Sequence, residues 1–437
     1  MMRRLGRPLR LVGLTVLVFA GLAAWFAAPL VLLGPAFAFL VWLIATTQGR
    51  QVLAIARVGV ATVPDRVGAT SVVVVGIAGV VGVFVALQAM AAGFEATLRS
   101  AGDDETAIVL RAGADAELAS GLERSSVTLI EQAPGILHDQ RDVPIASAEV
   151  VVVANLPKRS TGTDANVELR GVGPEGWQLR PRVHIMQGRR FKHGLRELVV
   201  GRGALVQFRG LESGAAIRLN NQDWRIVGVF ASGDAHESEL WGDAESVAAA
   251  YRRNGFQSVS ARLVDPTSIE RLKDSLSHDP RLRVDVQTTR AYYGKQSERI
   301  TKVIRGVGTG VAVVMALGAV FGALNTTYAA VAARSREMAT LRALGFTGGP
   351  VVLAVMLETL VLALAGGLLG AGFAWAAFNG YEVSTLGSNF SQVVFQFEIT
   401  PTLLLHGLQW ALGIGFIGGF FPAIRAATMP VTVALRS

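Results

Sequence analysis

The chain has 437 residues, 51% hydrophobic and 17% charged, with a formal net charge of +8 and no cysteine. A soluble domain carries about 25% charged residues, so the composition argues against a soluble protein and for a membrane one. The missing cysteine is permissive, since an external domain of this size can bury enough core without disulfides.

The first run without Asp, Glu, Lys or Arg is Leu11–Gly49, behind Arg3, Arg4, Arg7 and Arg10. At ~1.5 Å per residue it suffices for two crossings of ~30 Å of hydrocarbon, with a turn near Pro29 or Gly34-Pro35. Its start mimics a signal peptide, "AAWFAAP" included, but the apolar run continues, so 1–49 reads as a retained transmembrane hairpin. Residues 50–66 place Leu53, Ala56, Val60 and Ala61 near one helical face, with Arg50 and Arg57 elsewhere. That predicts an amphipathic helix on the inner membrane surface, turning into the bilayer at Pro64. Residues 67–92 form the third expected span.

The block 93–304 is nearly charge-balanced and reads as an α+β external domain. "TAIVLRA" and "AEVVVVANL" are strand candidates flanking a helical pattern around "AELASGLERSSVTLIEQA". The arrangement recurs as strand "SVSARLV", helix "DPTSIERLKDSL" with Asp265 as N-cap and Pro266 at the first helical position, and strand "LRVDVQT". Two such units flanking a β-rich insertion at about 166–230 predict one split α/β sheet domain. "SGDAHESELWGD" gathers Asp234, His236, Glu237, Glu239 and Asp243, but without regular ligand spacing it reads as a solvated or interdomain loop.

Residues 305–437 hold three further expected spans, at about 306–330, 350–378 and 401–424, giving six in all. Gly310, Gly318 and Gly322 in the first, and Gly366, Gly367 and Gly370 in the second, predict close helix packing. Glu358 stands about ten residues into its span, where a carboxylate must be neutral, near the interface or partnered, with Asn325 or Thr327 as candidates. Short Arg-rich segments stay in the cytoplasm, whereas 380–400 has no Lys or Arg, so both termini are expected inside and the large block outside. The basicity is therefore topological, and no nucleic-acid partner is expected.

Between the fourth and fifth spans "SREMATLRALG" forms a short charged helix over 334–345, with Met338, Leu341 and Leu344 roughly on one side and Gly345 stopping it. Having no core of its own, it must lie on lipid or in a partner's groove.

The segment "NTTYAAVAARSREMATLRALGFTGGPVVLAVMLETLVLALAGGLLG" resembles the permease segment of the FtsX/MacB family of ABC transporters. The closing "FPAIRAATMPVTVALRS" and the external "LRGVGPEGWQLRPRVHIMQGRRF", "ELVVGRGAL" and "WRIVGVF" are similar to that family too. The resemblance implies a polytopic α-helical membrane protein with a MacB-like periplasmic core domain, working with a separate ATPase that binds ATP and Mg. It implies that Arg336, Glu337, Met338, Leu341, Arg342, Ala343, Leu344 and Gly345 form the ATPase-coupling element, with Met338 where the family usually has Ile. A second permease copy or paralogue and a periplasmic adaptor are further implied partners. The family commonly has four spans, so the N-terminal hairpin is an addition.

These residues contain no Gly-x-x-x-x-Gly-Lys-Ser/Thr loop, which fits ATP hydrolysis on another subunit. No Gly-x-Ser-x-Gly, His-Glu-x-x-His or paired-carboxylate pattern indicates a catalytic site, and no metal or cofactor is expected on this chain. Two functions remain open: export or extraction of a lipid-like, lipoprotein, peptide or drug substrate, and mechanotransmission to a periplasmic cell-wall hydrolase or sensor.

Overall fold

Thr46 divides the first two described helices of the computed structural model, which describes residues 25, 33–62, 64–387 and 391–430. Helices α1 (Leu33–Ala45) and α2 (Thr47–Ala61) meet at 92°, and the Thr46 hydroxyl accepts from the Gly49 amide as the N-cap of α2. Gly34 and Pro35 sit in the first turn of α1, where proline is tolerated, so no turn occurs there. Pro29 and most of the expected hairpin lie outside the described residues. Helix α2 buries Gly49, Val52, Ala56 and Gly59, and Val52 and Ala56 share a core with Leu43 and Ala354. Of the face expected on the membrane surface, Ala56 is buried against protein, Leu53 is half-buried, and Val60 and Ala61 are exposed. The smallest residues of α2 face protein, which permits close backbone approach. Helix α3 (Val67–Ser100) is the first of four described helices long and apolar enough to span a bilayer.

The external block is built on a ten-stranded sheet among the described residues. Strand β1 (Thr106–Arg111), helix α4 (Arg124–Glu131) and strand β2 (Ala146–Pro157) form its first unit. Only part of the helical pattern before β2 is α-helical; Glu117–Ala119 is a single 3-10 turn. Next come β3 (Asp164–Val172), β4 (His184–Gly188), β5 (Glu197–Gly201), α5 (Arg202–Gln207), β6 (Ala216–Leu219), β7 (Gln222–Ala231), β8 (Glu239–Asp243) and α6 (Ala244–Ala250). The second unit is β9 (Ser258–Arg262), α7 (Ser268–His278) and β10 (Val284–Thr288). The order β10-β1-β9-β2-β3-β8-β5-β7-β4, with β6 beside β7, interleaves the two strand–helix–strand units. The inserted strands extend the sheet from β2 outward. Helix α7 begins two residues after Pro266, yet the Asp265 carboxylate still accepts from the Thr267 and Ser268 amides. One apolar core joins the sheet to α4, α6 and α7; a second, around Trp177, Phe230 and Trp241, covers part of the insertion.

Helix α8 (Thr289–Ala333) runs unbroken for 45 residues, ~67 Å. After it come α9 (Ser335–Ala343), α10 (Gly348–Phe378), the hairpin β11 (Glu382–Leu386) and β12 (Gln392–Gln396), and α11 (Pro401–Thr428). The described residues divide into two units: a helical one from those within Met1–Ala89, Gly306–Asn379 and Ile399–Ser437, and a sheet unit from those within Met90–Arg305 and Gly380–Glu398. The hairpin belongs to the sheet unit, where Val393 and Phe395 share a core with Phe94, Ile108 and Tyr292.

Within the helical unit, α10 and α11 carry the close-packing glycines. A Cβ on Gly366 or Gly370 would stand 2.8 Å from the Val74 carbonyl oxygen or 2.3 Å from that of Ala78, and one on Gly367 would stand 2.7 Å from the Ala411 methyl. Gly415 and Gly419 of α11 reciprocate against Ala363 and Thr359. Within this single chain Gly310, Gly318 and Gly322 meet no other helix: a Cβ on each would find nothing within 4 Å, and Asn325 is exposed. Helix α8 buries only 22% of its most apolar stretch against 44–50% for the other three spans, so these glycines lie on its uncovered side.

Candidate functional site

The short charged helix α9 begins at Arg334 and ends in a Schellman turn. The Phe346 amide donates to the Leu341 carbonyl and the Gly345 amide to that of Arg342, with Gly345 at φ +102°. Glycine fits this left-handed position without a Cβ penalty. Met338 and Ala339 are buried, and Met338 packs among Val331, Val351, Val355, Met356, Ala423 and Ala426. Leu341 and Arg342 are half-buried, and the Arg342 guanidinium donates to the Met429 carbonyl. Arg336, Glu337, Ala343, Leu344 and Gly345 are exposed, Leu344 by 73%. The expected common ridge of Met338, Leu341 and Leu344 is therefore split. Steps of three residues fall ~60° short of a full turn on an α-helix, so the line winds from core to surface.

Directly before α9, an ionic joint ties the ends of two helices to a carboxylate within a third. Glu358 receives Arg66 Nη2 at 3.0 Å and Arg334 Nη2 at 2.6 Å. Arg66 immediately precedes α3 and Arg334 immediately follows α8, so Glu358 lies at the level of span ends despite its place within α10. Its partners are these two arginines and not Asn325 or Thr327; Thr327 lines the same cavity. Distant sequence positions, 292 apart for Arg66, hid the pairing. Gly59 of α2 makes room for it, since a Cβ there would stand 2.6 Å from the Glu358 carboxylate.

A second charged constellation lies inside the sheet unit. Arg170 on β3 is buried and contacts Glu117 and Glu149 at 2.9 Å, Glu168 at 2.7 Å and Glu239 at 2.9 Å. Arg180 forks onto Glu149 at 2.7 and 2.8 Å, and His236 Nδ1 lies 3.0 Å from Glu239. Burial would raise the Glu149 and Glu239 carboxyls, but their partners outweigh it: the guanidiniums of Arg180 and Arg170 lower the first, and that of Arg170 with the His236 hydrogen bond lowers the second. Burial pushes the phenols of Tyr292 and Tyr293 well up.

The segment read as a solvated or interdomain loop is not solvated: Ala235–Ser238 is a 3-10 turn leading into β8, and Asp234, His236, Glu237, Glu239 and Asp243 are all buried. Their partners are protein groups: Ser232 for Asp234, Arg202 for Glu237, Ser246 and His193 for Asp243. Alternation in "ESELWGD", with Glu239 and Trp241 two apart on a strand, was the available signal. Among the described residues no three His, Asp or Glu side chains are placed to hold a metal ion.

Two family models match: a MacB-like periplasmic core domain over residues 67–278 and an FtsX-like permease C-terminal domain over 309–431. The chain is 26% identical over 401 residues to a macrolide export ATP-binding/permease protein MacB from Bdellovibrio bacteriovorus, covering 83% of this chain and 58% of that one. It is 23% identical over 331 residues to the Escherichia coli protein of that name, covering 71% and 49%. An uncharacterized ABC transporter permease YknZ of Bacillus subtilis is 24% identical over 237 residues, 51% of this chain and 56% of that one. The chain thus spans only about half the length of the curated relatives it matches. Among solved structures, the periplasmic region of MacB from Actinobacillus actinomycetemcomitans aligns at 15% identity and TM-score 0.33, over 47% of this chain and 95% of that one. Two family domains in succession, joined to four span-length helices, make the chain an ABC transporter permease of the MacB/FtsX-like family.

Proposed function

We propose that this chain is the permease subunit of an ABC transporter in which a separate ATPase, carrying Mg and ATP, docks on the exposed side of α9. The observation that carries this reading is the divided helix. Met338 and Ala339 anchor it to α10 and α11, while Arg336, Glu337, Ala343 and Leu344 form a free rim suited to a partner's groove. Nucleotide-driven closure of two ATPase subunits would move α9 together with the Arg66–Glu358–Arg334 joint, in a dimer of this chain or with a paralogue. The motion serves export or extraction of a lipid-like, lipoprotein, peptide or drug substrate, with a periplasmic adaptor as a further partner. Six spans, with both termini in the cytoplasm and the sheet unit outside, complete this reading. It is supported by the Arg-rich flanks and by the hairpin after α10 belonging to the sheet unit.

Co-purification of tagged full-length protein from native membranes tests it. Leu344→Asp is expected to lose the ATPase while the protein stays folded, because the side chain it replaces is exposed. Undiminished ATPase recovery would end the docking assignment. The unbroken 45-residue α8 also suits mechanotransmission without transport. ATPase activity stimulated by substrate in proteoliposomes supports transport; capture of a cell-wall hydrolase without such stimulation supports the second reading.

A further inference from the structure

The ionic joint borders a cavity of about 230 Å³ within the helical unit. Its walls are mostly small and apolar: Ala323, Ala330, Val331, Val355 and Leu362. Its charged lining among the described residues is Arg66, Arg334 and Glu358, two cations against one anion. The Nε–H of Arg334 is buried and has no acceptor. Both arginines flank span-length helices, Arg66 before α3 and Arg334 after α8, and basic residues at span ends attract anionic lipid headgroups. One water needs only ~15 Å³ of such space, and water would leave the surplus charge uncompensated.

We propose that this cavity binds an anionic phospholipid, its phosphate accepting from Arg334 Nε and Arg66 and an acyl chain lying along the alanine and valine wall. A phosphate supplies the missing acceptor and the missing negative charge together, through charge-assisted hydrogen bonds. An apolar tail accounts for the alanine, valine and leucine lining. Occupancy would brace the joint between α3, α8 and α10 just where α9 begins. The inference concerns lipid binding by this chain and stands apart from ATPase docking.

Native mass spectrometry of the purified full-length protein, titrated with phosphatidylglycerol or with phosphatidylcholine of the same chains, tests it. Phosphatidylglycerol is expected to bind about tenfold more tightly, and Arg334→Gln to lose about that factor. Ala330→Phe fills the cavity while keeping every charge and should weaken binding similarly; Thr326→Leu is a milder filling variant should that one misfold. Equal affinity for the two lipids, or phosphatidylglycerol binding indifferent to both Arg334→Gln and a filling variant, overturns the site. If inorganic phosphate at millimolar concentration displaces phosphatidylglycerol and matches its thermal stabilisation, the site takes free phosphate, and the lipid assignment is wrong.

Discussion

Arg170 shows how far a single residue's role can depend on tertiary contacts. Its guanidinium is the shared partner of four buried carboxylates from β2, β3, β8 and the turn at Glu117. Removing one partner of a buried ionic network leaves the others uncompensated, at about 3–5 kcal/mol. Arg170→Met is therefore expected to lower stability by that order, measurable by denaturant unfolding of the full chain in detergent. The pH dependence has a definite sign. Glu149 and Glu239 titrate below their ordinary value in the folded chain, so their contribution is fully present above the unfolded carboxylate pKa of ~4.3 and is lost as pH falls below it. Thermal unfolding of the wild type should show its melting temperature falling as pH drops from about 5 toward 3. A flat profile there would contradict the network. In sequence Arg170 is one arginine in "VELRGV", and nothing local marks it as the centre of a buried ionic network. Glu358 was legible as an anomaly, an acid in an apolar run, but its partners Arg66 and Arg334 were not.

At the scale of elements, composition marked glycines without saying which would meet another helix. Gly370 and Gly318 look alike in sequence, yet the first abuts the Ala78 backbone of α3 and the second faces open space. Gly370→Ala puts a methyl against a backbone carbonyl and should cost about 1–3 kcal/mol. Gly318→Ala should be neutral or stabilising by up to about 1 kcal/mol, since alanine is the better helix former. Melting temperatures of the two variants in one detergent check the contrast, and equal losses would mean that α8 is packed on that side in the assembled protein. The ridge of α9 teaches the same lesson. Its apolar spacing was visible, but the core formed by α10 and α11 decides that Met338 turns inward and Leu344 outward.

For the whole molecule, the proposed topology puts α9 and the sheet unit on opposite sides of the bilayer. Single cysteines at Thr340 and Glu270, both exposed, suit this test because the chain has no cysteine of its own. A membrane-impermeant maleimide applied to intact cells should label position 270 and spare 340 until the cells are opened; equal labelling of both would refute the arrangement. The sequence by itself determined the long apolar helices from residue 67 onward, the α/β character of the external block and the short charged helix with its glycine stop. Those features follow from local quantities: charge-free length against bilayer thickness, strand alternation and turn chemistry. The tertiary structure alone decided that the two strand–helix–strand units interleave, with β1 between β9 and β10, that the hairpin after α10 joins that sheet unit, and that Arg66 and Arg334 meet at Glu358. Each of these rests on residues separated by scores or hundreds of positions, and no local periodicity encodes which distant partner satisfies a buried charge or an open strand edge.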